Sequence, residues 1–549
     1  MTFRSRFPEA FIPRQELSAF VLAAAGDYLD RTALIDAASG HRLSYGDLRA
    51  QVDHFAGGLA RLGVGHGDVV AIALPNVPEY PVVFLGTARA GAASTTLNPA
   101  LTGRETAAQL ADSGAGVVIT TPENAGKLRV AGGPGLRLVV LGEASGDVAG
   151  FYDLLNAGWP APAVDIDPAE DLAALPYSSG TTGLPKGVML THRNLVANGV
   201  QCGPFYNGPG DVVLAAAPFF HIMGMAVVMV AGLCRGVTMV TMTRFDLEQC
   251  LRAIQDHRVM SMVVAPPVTA ALAKHPLVDS YDLSSLRLLT TGGAPLGAQV
   301  QEACAARLGC RTGQGWGMTE LGAGLISPPA GVAVDKPGTV GWCVTGAELR
   351  VVDPASGAER GAGEPGELWF RGPNVMQGYR HNAEATAATI DDDGWCRTGD
   401  IAEVDGDGFV QIVDRVKELI KYKGYQVAPA ELEAVLISHP LIADAAVVAS
   451  PDEEAGEVPK AFLVLKENQS MDREDAAQQV MAYVTGQVAH YKRVRRYEFV
   501  EAIPRTPSGK IVRRELIERE RLAMRAERSS PAERSLRDLS GQMTQGTSG

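Results

Sequence analysis

The segment Tyr177-Ser178-Ser179-Gly180-Thr181-Thr182-Gly183-Leu184-Pro185-Lys186-Gly187-Val188 gathers residue types suited to binding an anion. Four hydroxyls, three glycines and one lysine fall within the ten residues from Ser178 to Gly187. Glycines let backbone N–H groups approach an oxyanion closely, hydroxyls donate in any direction, and Lys186 adds a point charge. Together they suit a polyphosphate cradle. No Gly-Lys-Ser/Thr follows a G-x-x-x-x spacer, so this is not a Walker A loop. A flexible polar hairpin loop would have the same composition.

A second cluster, Gln314-Gly315-Trp316-Gly317-Met318-Thr319-Glu320, sets an aromatic between glycines, ahead of a carboxylate. The ring offers a flat face to a purine, and Glu320 could hold Mg²⁺ against phosphates. A strand end with a core tryptophan would read the same way. In Trp395-Cys396-Arg397-Thr398-Gly399-Asp400 a carboxylate after a tight turn could accept both hydroxyls of a ribose, although Thr-Gly-Asp also makes ordinary turns. Asp414-Arg415-Val416-Lys417-Glu418-Leu419-Ile420-Lys421-Tyr422-Lys423-Gly424-Tyr425-Gln426 is a basic run of the kind that usually forms a solvated face. Pro504-Arg505-Thr506-Pro507-Ser508-Gly509-Lys510 is a rigid turn that presents one lysine.

Other templates are missing. The ten histidines never pair at i, i+4 around a Glu, and no G-x-S-x-G marks a hydrolase nucleophile. The one G-x-G-x-x-G, Gly361 to Gly366, runs into the strand-like Leu368-Trp369-Phe370 instead of opening a helix, which argues against a dinucleotide fold.

The elements that must carry these segments show in the hydrophobic pattern. Up to about residue 415, short β-branched runs alternate with longer amphipathic stretches, as in Val69 to Leu74, Val77 to Ala90 and Ala93 to Leu97. This predicts β-α-β units and a largely parallel sheet. Between Thr339 and Asp414 short strands (Leu349 to Val352, Glu367 to Arg371, Phe409 to Ile412) are separated by Asp-Gly turns, predicting a small antiparallel barrel or sheet. Beyond Asp414, Ala430 to Ser438 and Arg473 to Ala489 read as helices, and Ala445 to Ala449 and Ala461 to Leu465 as strands. From Ser529 on, no apolar periodicity remains.

A length of 549 residues suggests three or four compact units of ~100–200 residues. With 46% hydrophobic and 20% charged residues, the composition excludes fibrous and wholly disordered chains. Lys plus Arg minus Asp plus Glu is 49 − 62 = −13, which argues against nucleic acid as a partner. The seven cysteines are odd in number, scattered and without a C-x-x-C pair, as expected for reduced thiols in a cytoplasmic protein. No secretory signal stands behind Met-Thr-Phe-Arg-Ser-Arg-Phe, and the apolar run Ile222 to Cys234 stops after 13 residues, short of the ~20 that cross a bilayer.

The joint order of these segments resembles the adenylate-forming superfamily of acyl-CoA synthetases, nonribosomal adenylation domains and luciferases, most closely the 4-coumarate:CoA ligase branch. The resemblance runs from about Phe3 to Arg521. It rests on Ser178 to Val188, Gly317-Met318-Thr319-Glu320, Gly366-Glu367-Leu368-Trp369-Phe370-Arg371-Gly372, Thr398-Gly399-Asp400 and Lys421-Tyr422-Lys423-Gly424. It implies an α/β fold with a large N-terminal domain (1–414) of mostly parallel sheets with helices, bearing a small β-barrel (339–414). A mobile α+β domain (415–525) would follow, and the composition beyond it predicts a disordered tail (526–549).

The resemblance also implies roles. Ser178, Ser179, Gly180, Thr181, Thr182, Gly183 and Lys186 would hold the β and γ phosphates of ATP. Gly293, Ala294, Gln314, Gly315 and Trp316 would line the adenine, with Trp316 standing where the family more often has Tyr. Thr319 would meet the α phosphate, Asp400 and Arg415 the ribose, and Glu320 with Thr182 the Mg²⁺. His221 would border the substrate carboxylate and the pantetheine tunnel, within an acyl pocket of Met223, Met225, Val227, Gly292, Gly317 and Gly322. Lys510 would neutralise charge in the first step, and Lys417 would be the hinge. Lys421 and Gln426 would act on the adenylate, and Arg244, Lys423 and Gly424 would contact coenzyme A.

The implied activity is ATP-dependent formation of an acyl-CoA thioester from an aromatic or other apolar acid through an acyl-AMP. Medium-chain fatty acids, transfer to a carrier protein, a luciferase-like oxygenase and a catalytically dead adenylate binder stay open. An amino-acid site would need an acidic anchor near Phe220 to Val227, and the sequence has none there. Where 4-coumarate ligases carry hydroxyl groups for the phenol, the matching places are Met223 and Val227, and a lysine that can follow Ala-Pro-Leu-Gly is Ala298. Monomer and homodimer stay equally open.

Overall fold

Val69–Ala73 is buried at all five positions, as a strand covered on both faces must be, and it lies at the centre of a nine-stranded sheet. The structure is a computed structural model that describes residues 1–528 apart from 100, 144–145, 147, 179–184, 330, 333–334, 416–417, 423–424, 453–454, 467–471 and 507–508. The side chains of 24–25, 425–426 and 525–528 also lie outside the description. The chain divides into two compact units, Met1–Ile412 and Val413–Gly549.

In the first unit, Ala93–Thr96 and Val117–Thr120 flank Val69–Ala73 in parallel, and Arg137–Val140 extends the parallel set. Lys186–Thr191 joins antiparallel through Leu172–Ala174 and itself pairs with Tyr177–Ser178 and Gly378–Tyr379. A second nine-stranded sheet runs Thr32–Asp36, Thr238–Thr241, Val212–Ala215, Ser261–Val264, Leu288–Thr291 and Arg311–Met318 in parallel. Gly322–Ile326 and Trp342–Cys343 close its far edge antiparallel. Parallel strands need crossovers, and helices such as Glu79–Arg89 and Leu247–His257 supply them. The α/β architecture with mostly parallel sheets is the one the sequence pattern predicts.

Three details differ from that pattern. The helix predicted over Val77 to Ala90 starts at Glu79, with Pro78 as its cap and Pro81 in its first turn, where a missing N–H costs nothing. The small sheet of Glu348–Val352, Gly366–Arg371 and Cys396–Val404 gains an antiparallel edge strand from the other end of the chain, Thr2–Arg4, too short to show a period of two. The apolar run after Ile222 forms a π-helical stretch, Met223–Val230, continued by Ala231–Cys234, with nearly every residue buried. A helix apolar on all sides belongs in a core. Among the described residues no helix is long and apolar enough to cross a membrane.

In the second unit the hairpin Ile442–Asp452 and Gly456–Leu465 is longer than the apolar runs suggest. Its alternate residues feed two cores. Ala445, Val447, Ala461 and Leu463 pack with Leu432, Leu436, Val480 and Val484, while Ala446, Val448 and Phe462 pack with Ile503 and Leu516. Helices Pro429–Ser438 and Arg473–Gln487 supply the first set. Helix Arg513–Arg528 supplies Leu516 and is anchored by buried Leu516 and Glu520. All seven cysteines are unpaired.

Candidate active site

Ser178 and Lys186 face each other across the antiparallel pair Tyr177–Ser178 and Lys186–Thr191. Ser178 is buried, and its hydroxyl has no hydrogen-bond partner among the described residues. The Lys186 ammonium stands 4.4 Å from the centre of the Tyr379 ring. The hydroxyl of Tyr379 donates to Oε1 of Glu320 at 2.8 Å. Strand pairing of Val188 with Tyr379 brings that phenol to the lysine. Burial, and then the negative charge of Glu320, push the phenol pKa far up, so it remains a donor.

Glu320 is 6% exposed and follows Arg311–Met318, which turns tightly into Gly322–Ile326. The turn requires its glycines. A Cβ on Gly317 would lie 1.9 Å from the Gly322 carbonyl, and Gly322 has φ +69° with the Asn198 amide where its Cβ would go. Buried amides fix the same turn: Asn198 donates to Leu321 O and accepts from Ala323 N–H, and Asn374 donates to Leu321 O at 2.8 Å.

Trp316 and Asp400 meet directly, the indole N–H donating to Oδ2 at 2.8 Å. Asp400 is 5% exposed, and the turn before it is held from the neighbouring strand. Thr398 Oγ1 donates to Leu368 O, and the Gly399 N–H donates to Oε1 of Glu367, whose Oε2 accepts the Trp369 indole. Parallel pairing of Thr291 with Gln314 places Gly292, Gly293 and Ala294 at the end of the adjacent strand, Gly293 with φ +86°. Gln314 is locked by bonds to Leu296 O and Gln301.

Met223 joins this group: its sulfur would be 3.2 Å from a Cβ on Gly292. Met223 and His221 are half-buried, Val227 is 7% exposed, and Met225 is fully enclosed in the core behind them. The turn that carries His221 is held by the buried amide of Asn76, which donates to Ala215 O and Ala217 O and accepts from Phe219 N–H. Half-buried Thr319 precedes Glu320, and Arg244 is exposed on the loop after Thr238–Thr241. Among the described residues no three His, Cys, Asp or Glu side chains gather as a metal cluster. A lone buried carboxylate fits a cation held mostly by a ligand's oxygens.

In the second unit Lys421 and Gln426 pair across a short hairpin, Ile420–Tyr422 and Tyr425–Val427, with Lys421 exposed. Lys510 ends a turn closed by Thr506 N–H to Lys510 O (2.8 Å) and by Lys510 N–H to Thr506 Oγ1 (3.1 Å). Ser179, Gly180, Thr181, Thr182, Gly183, Lys417, Lys423 and Gly424 lie outside the described residues.

Asp414, at the start of this unit, is buried; Oδ1 accepts Arg415 N–H and Oδ2 accepts Ala430 N–H. Burial pushes its pKa up to about 7, against the pull of those bonds and of Arg513, with Glu418 adding to the rise. Between its ordinary value of 3.8 and about 7 the folded state therefore holds a proton that the unfolded state has lost. Stability should fall across that window as pH rises and level off above it. Hydrogen exchange of the second unit at pH 5 and pH 8 should show this fall in the parent protein and a flatter profile in Asp414→Asn. Equal slopes would remove the effect from Asp414.

The AMP-binding enzyme family model matches residues 21–380, and the AMP-binding enzyme C-terminal domain matches 431–510. The chain is 44% identical over 525 residues to 4-coumarate–CoA ligase 5 of Oryza sativa subsp. japonica, covering 94% of this chain and 96% of that one. Its structure is similar to ATP-bound MatB from Rhodopseudomonas palustris (TM-score 0.83, 30% identity, 92% of this chain and 99% of that one). It is also similar to the anthranilate CoA ligase AuaEII in complex with anthranoyl-AMP (TM-score 0.84, 28% identity, 93% and 98%). The chain belongs to the AMP-binding enzyme family, as an AMP-forming acid–CoA ligase.

The sequence reading missed Tyr379, Glu367, Asn76, Asn198 and Asn374. Asn198 had a signal, a polar residue directly after the apolar run Leu195-Val196-Ala197 and before Gly199-Val200, where a buried amide must find partners.

Proposed function

We propose that this ligase activates an unhydroxylated aromatic or similarly apolar carboxylic acid as its acyl-AMP and transfers the acyl group to coenzyme A. The observation that carries the nucleoside part is the bond between Trp316 and Asp400, which joins a flat purine-sized face to a carboxylate suited to a ribose diol. Arg415 would add a second contact to the ribose. Gly293, Ala294, Gln314 and Gly315 would border the base, and Thr319 the α phosphate. Ser178 and Lys186, with Ser179, Gly180, Thr181, Thr182 and Gly183, would hold the β and γ phosphates; the Ser178 hydroxyl, without a partner among the described residues, is a donor suited to that task. Glu320, with Thr182, would hold Mg²⁺, which when bound supplies positive charge against the phosphates.

In the first step a carboxylate oxygen attacks the α phosphorus, the α–β P–O bond breaks and pyrophosphate leaves. Two anions must meet, so fixed donors and Lys510 lower the barrier by matching the charge that concentrates there. In the second step the thiolate of coenzyme A attacks the acyl carbon, the bond to the phosphate oxygen breaks and AMP leaves. His221 would border both reacting groups. Lys421 and Gln426 would contact the adenylate, and Arg244, Lys423 and Gly424 the coenzyme. Water would hydrolyse the mixed anhydride, so both steps need a closed cleft, with Lys417 as the hinge.

The acid would lie against Met223, Val227, Gly292, Gly317 and Gly322, with Met225 packed behind. A phenol hydroxyl among Met223, Val227 and Ala298 would lose its water partners at about 1–3 kcal/mol, roughly 5- to 150-fold in affinity. An apolar wall rejects an added hydroxyl by ~10² or less. The expected result is a higher kcat/KM for cinnamate than for 4-coumarate, with Met223→Tyr narrowing the gap. AMP release measured with cinnamate, 4-coumarate, benzoate and octanoate, with and without coenzyme A, tests both claims. A clear preference for 4-coumarate would sink the apolar-pocket reading. Acyl transfer to a carrier protein but not to coenzyme A would sink the proposed acceptor.

A further inference from the structure

Tyr379 is 6% exposed and touches two of the residues assigned to the triphosphate and its cation. Its hydroxyl donates to Oε1 of Glu320 (2.8 Å), while its ring face lies 4.4 Å from the Lys186 ammonium. The two contacts use different parts of one side chain. The Thr389 hydroxyl also reaches the phenol oxygen, and the strand pair Val188–Tyr379 fixes the backbone beneath it.

We infer that Tyr379 is a positioning residue for nucleotide binding. Its hydroxyl holds one oxygen of Glu320, which would leave the other for a divalent cation, and its ring would fix the Lys186 ammonium for the phosphate chain. This rests on the reading of Glu320 and Lys186 given above. A carboxylate on a flexible stem can rotate, and a donor on one oxygen removes that freedom before the ligand arrives. An ammonium over an aromatic face keeps its charge and gives up part of its rotamer freedom. Hydroxyl and ring should therefore be separable by mutation.

Tyr379→Phe keeps the ring and loses the donor. Tyr379→Leu loses both. Equilibrium titration of the full chain with ATP is read in two conditions, with Mg²⁺ and with EDTA, the folded state of each variant being checked by its melting temperature. Tyr379→Phe should weaken binding about ten-fold with Mg²⁺, the scale of one hydrogen bond to a charged group, and less than about two-fold in EDTA. Tyr379→Leu should weaken binding in both conditions, because the contact with Lys186 is also gone. In a Glu320→Gln background the further change to Phe should no longer affect the gain from Mg²⁺, as expected if the hydroxyl acts through Glu320.

Three results would overturn the inference alone: an unchanged gain from Mg²⁺ in Tyr379→Phe, equal weakening of that variant in both conditions, or full additivity with Glu320→Gln. A parent protein that binds ATP no better with Mg²⁺ than with EDTA would overturn the reading of Glu320, and the inference with it.

Discussion

Lys510→Ala is expected to lower acid-dependent pyrophosphate release by at least ~10², while conversion of supplied acyl-AMP and coenzyme A to thioester stays near the parent rate. The magnitude follows from losing one preorganised charge where a carboxylate meets a phosphate. Preorganisation is visible in the turn that carries it. Besides the two bonds between Thr506 and Lys510, the Arg505 guanidinium donates to Gly509 O at 2.8 Å and is itself held by both carboxylate oxygens of Asp444. Gly509 has φ +84°, a conformation that suits glycine and closes the turn just before the lysine. The Lys510 backbone is therefore set by its neighbours and should stay in place when the side chain is cut to alanine, so that the loss reports the ammonium. Pyrophosphate release and thioester formation are measured separately on the same preparation. An equal fall in both would show that Lys510 does not belong to one half-reaction.

The readable parts of the sequence were those where one local pattern carries the information. Val69 to Leu74 announces a buried parallel strand because both its faces are apolar, and the glycines around Trp316 announce a tight passage of backbone. What stayed hidden is set by pairing across long separations. Glu367 and Gly399 are 32 residues apart, the first in a segment marked only by the family resemblance and the second in one marked by its residue types. Only the register of Gly366–Arg371 against Cys396–Val404 makes the first shape the turn that presents Asp400. Tyr379 and Glu320 are 59 residues apart, and nothing in Met376-Gln377-Gly378-Tyr379 marks the tyrosine as more than core. The π-helical Met223–Val230 was hidden for another reason: an all-apolar run has no periodicity from which to tell one helix type from another.

Lys417→Pro is expected to leave acyl-AMP formation intact, let that intermediate accumulate, and collapse thioester production. Hinge positions act through backbone rotation, and proline holds φ near −65°. The backbone around position 417 is anchored on both sides. Arg415 O accepts the N–H groups of Glu418 (2.9 Å) and Leu419 (3.2 Å), the Arg415 N–H is tied to Asp414, and the Glu418 carboxylate accepts from Arg513 at 2.6 Å. Lys417→Ala, which removes the side chain and leaves the backbone free, should keep both half-reactions near the parent rates. Quenched single-turnover measurement of acyl-AMP beside steady-state thioester formation separates the two variants. An unimpaired overall rate in Lys417→Pro would remove the rotation argument, and an equal loss in Lys417→Ala would move the function of this position from its backbone to its ammonium.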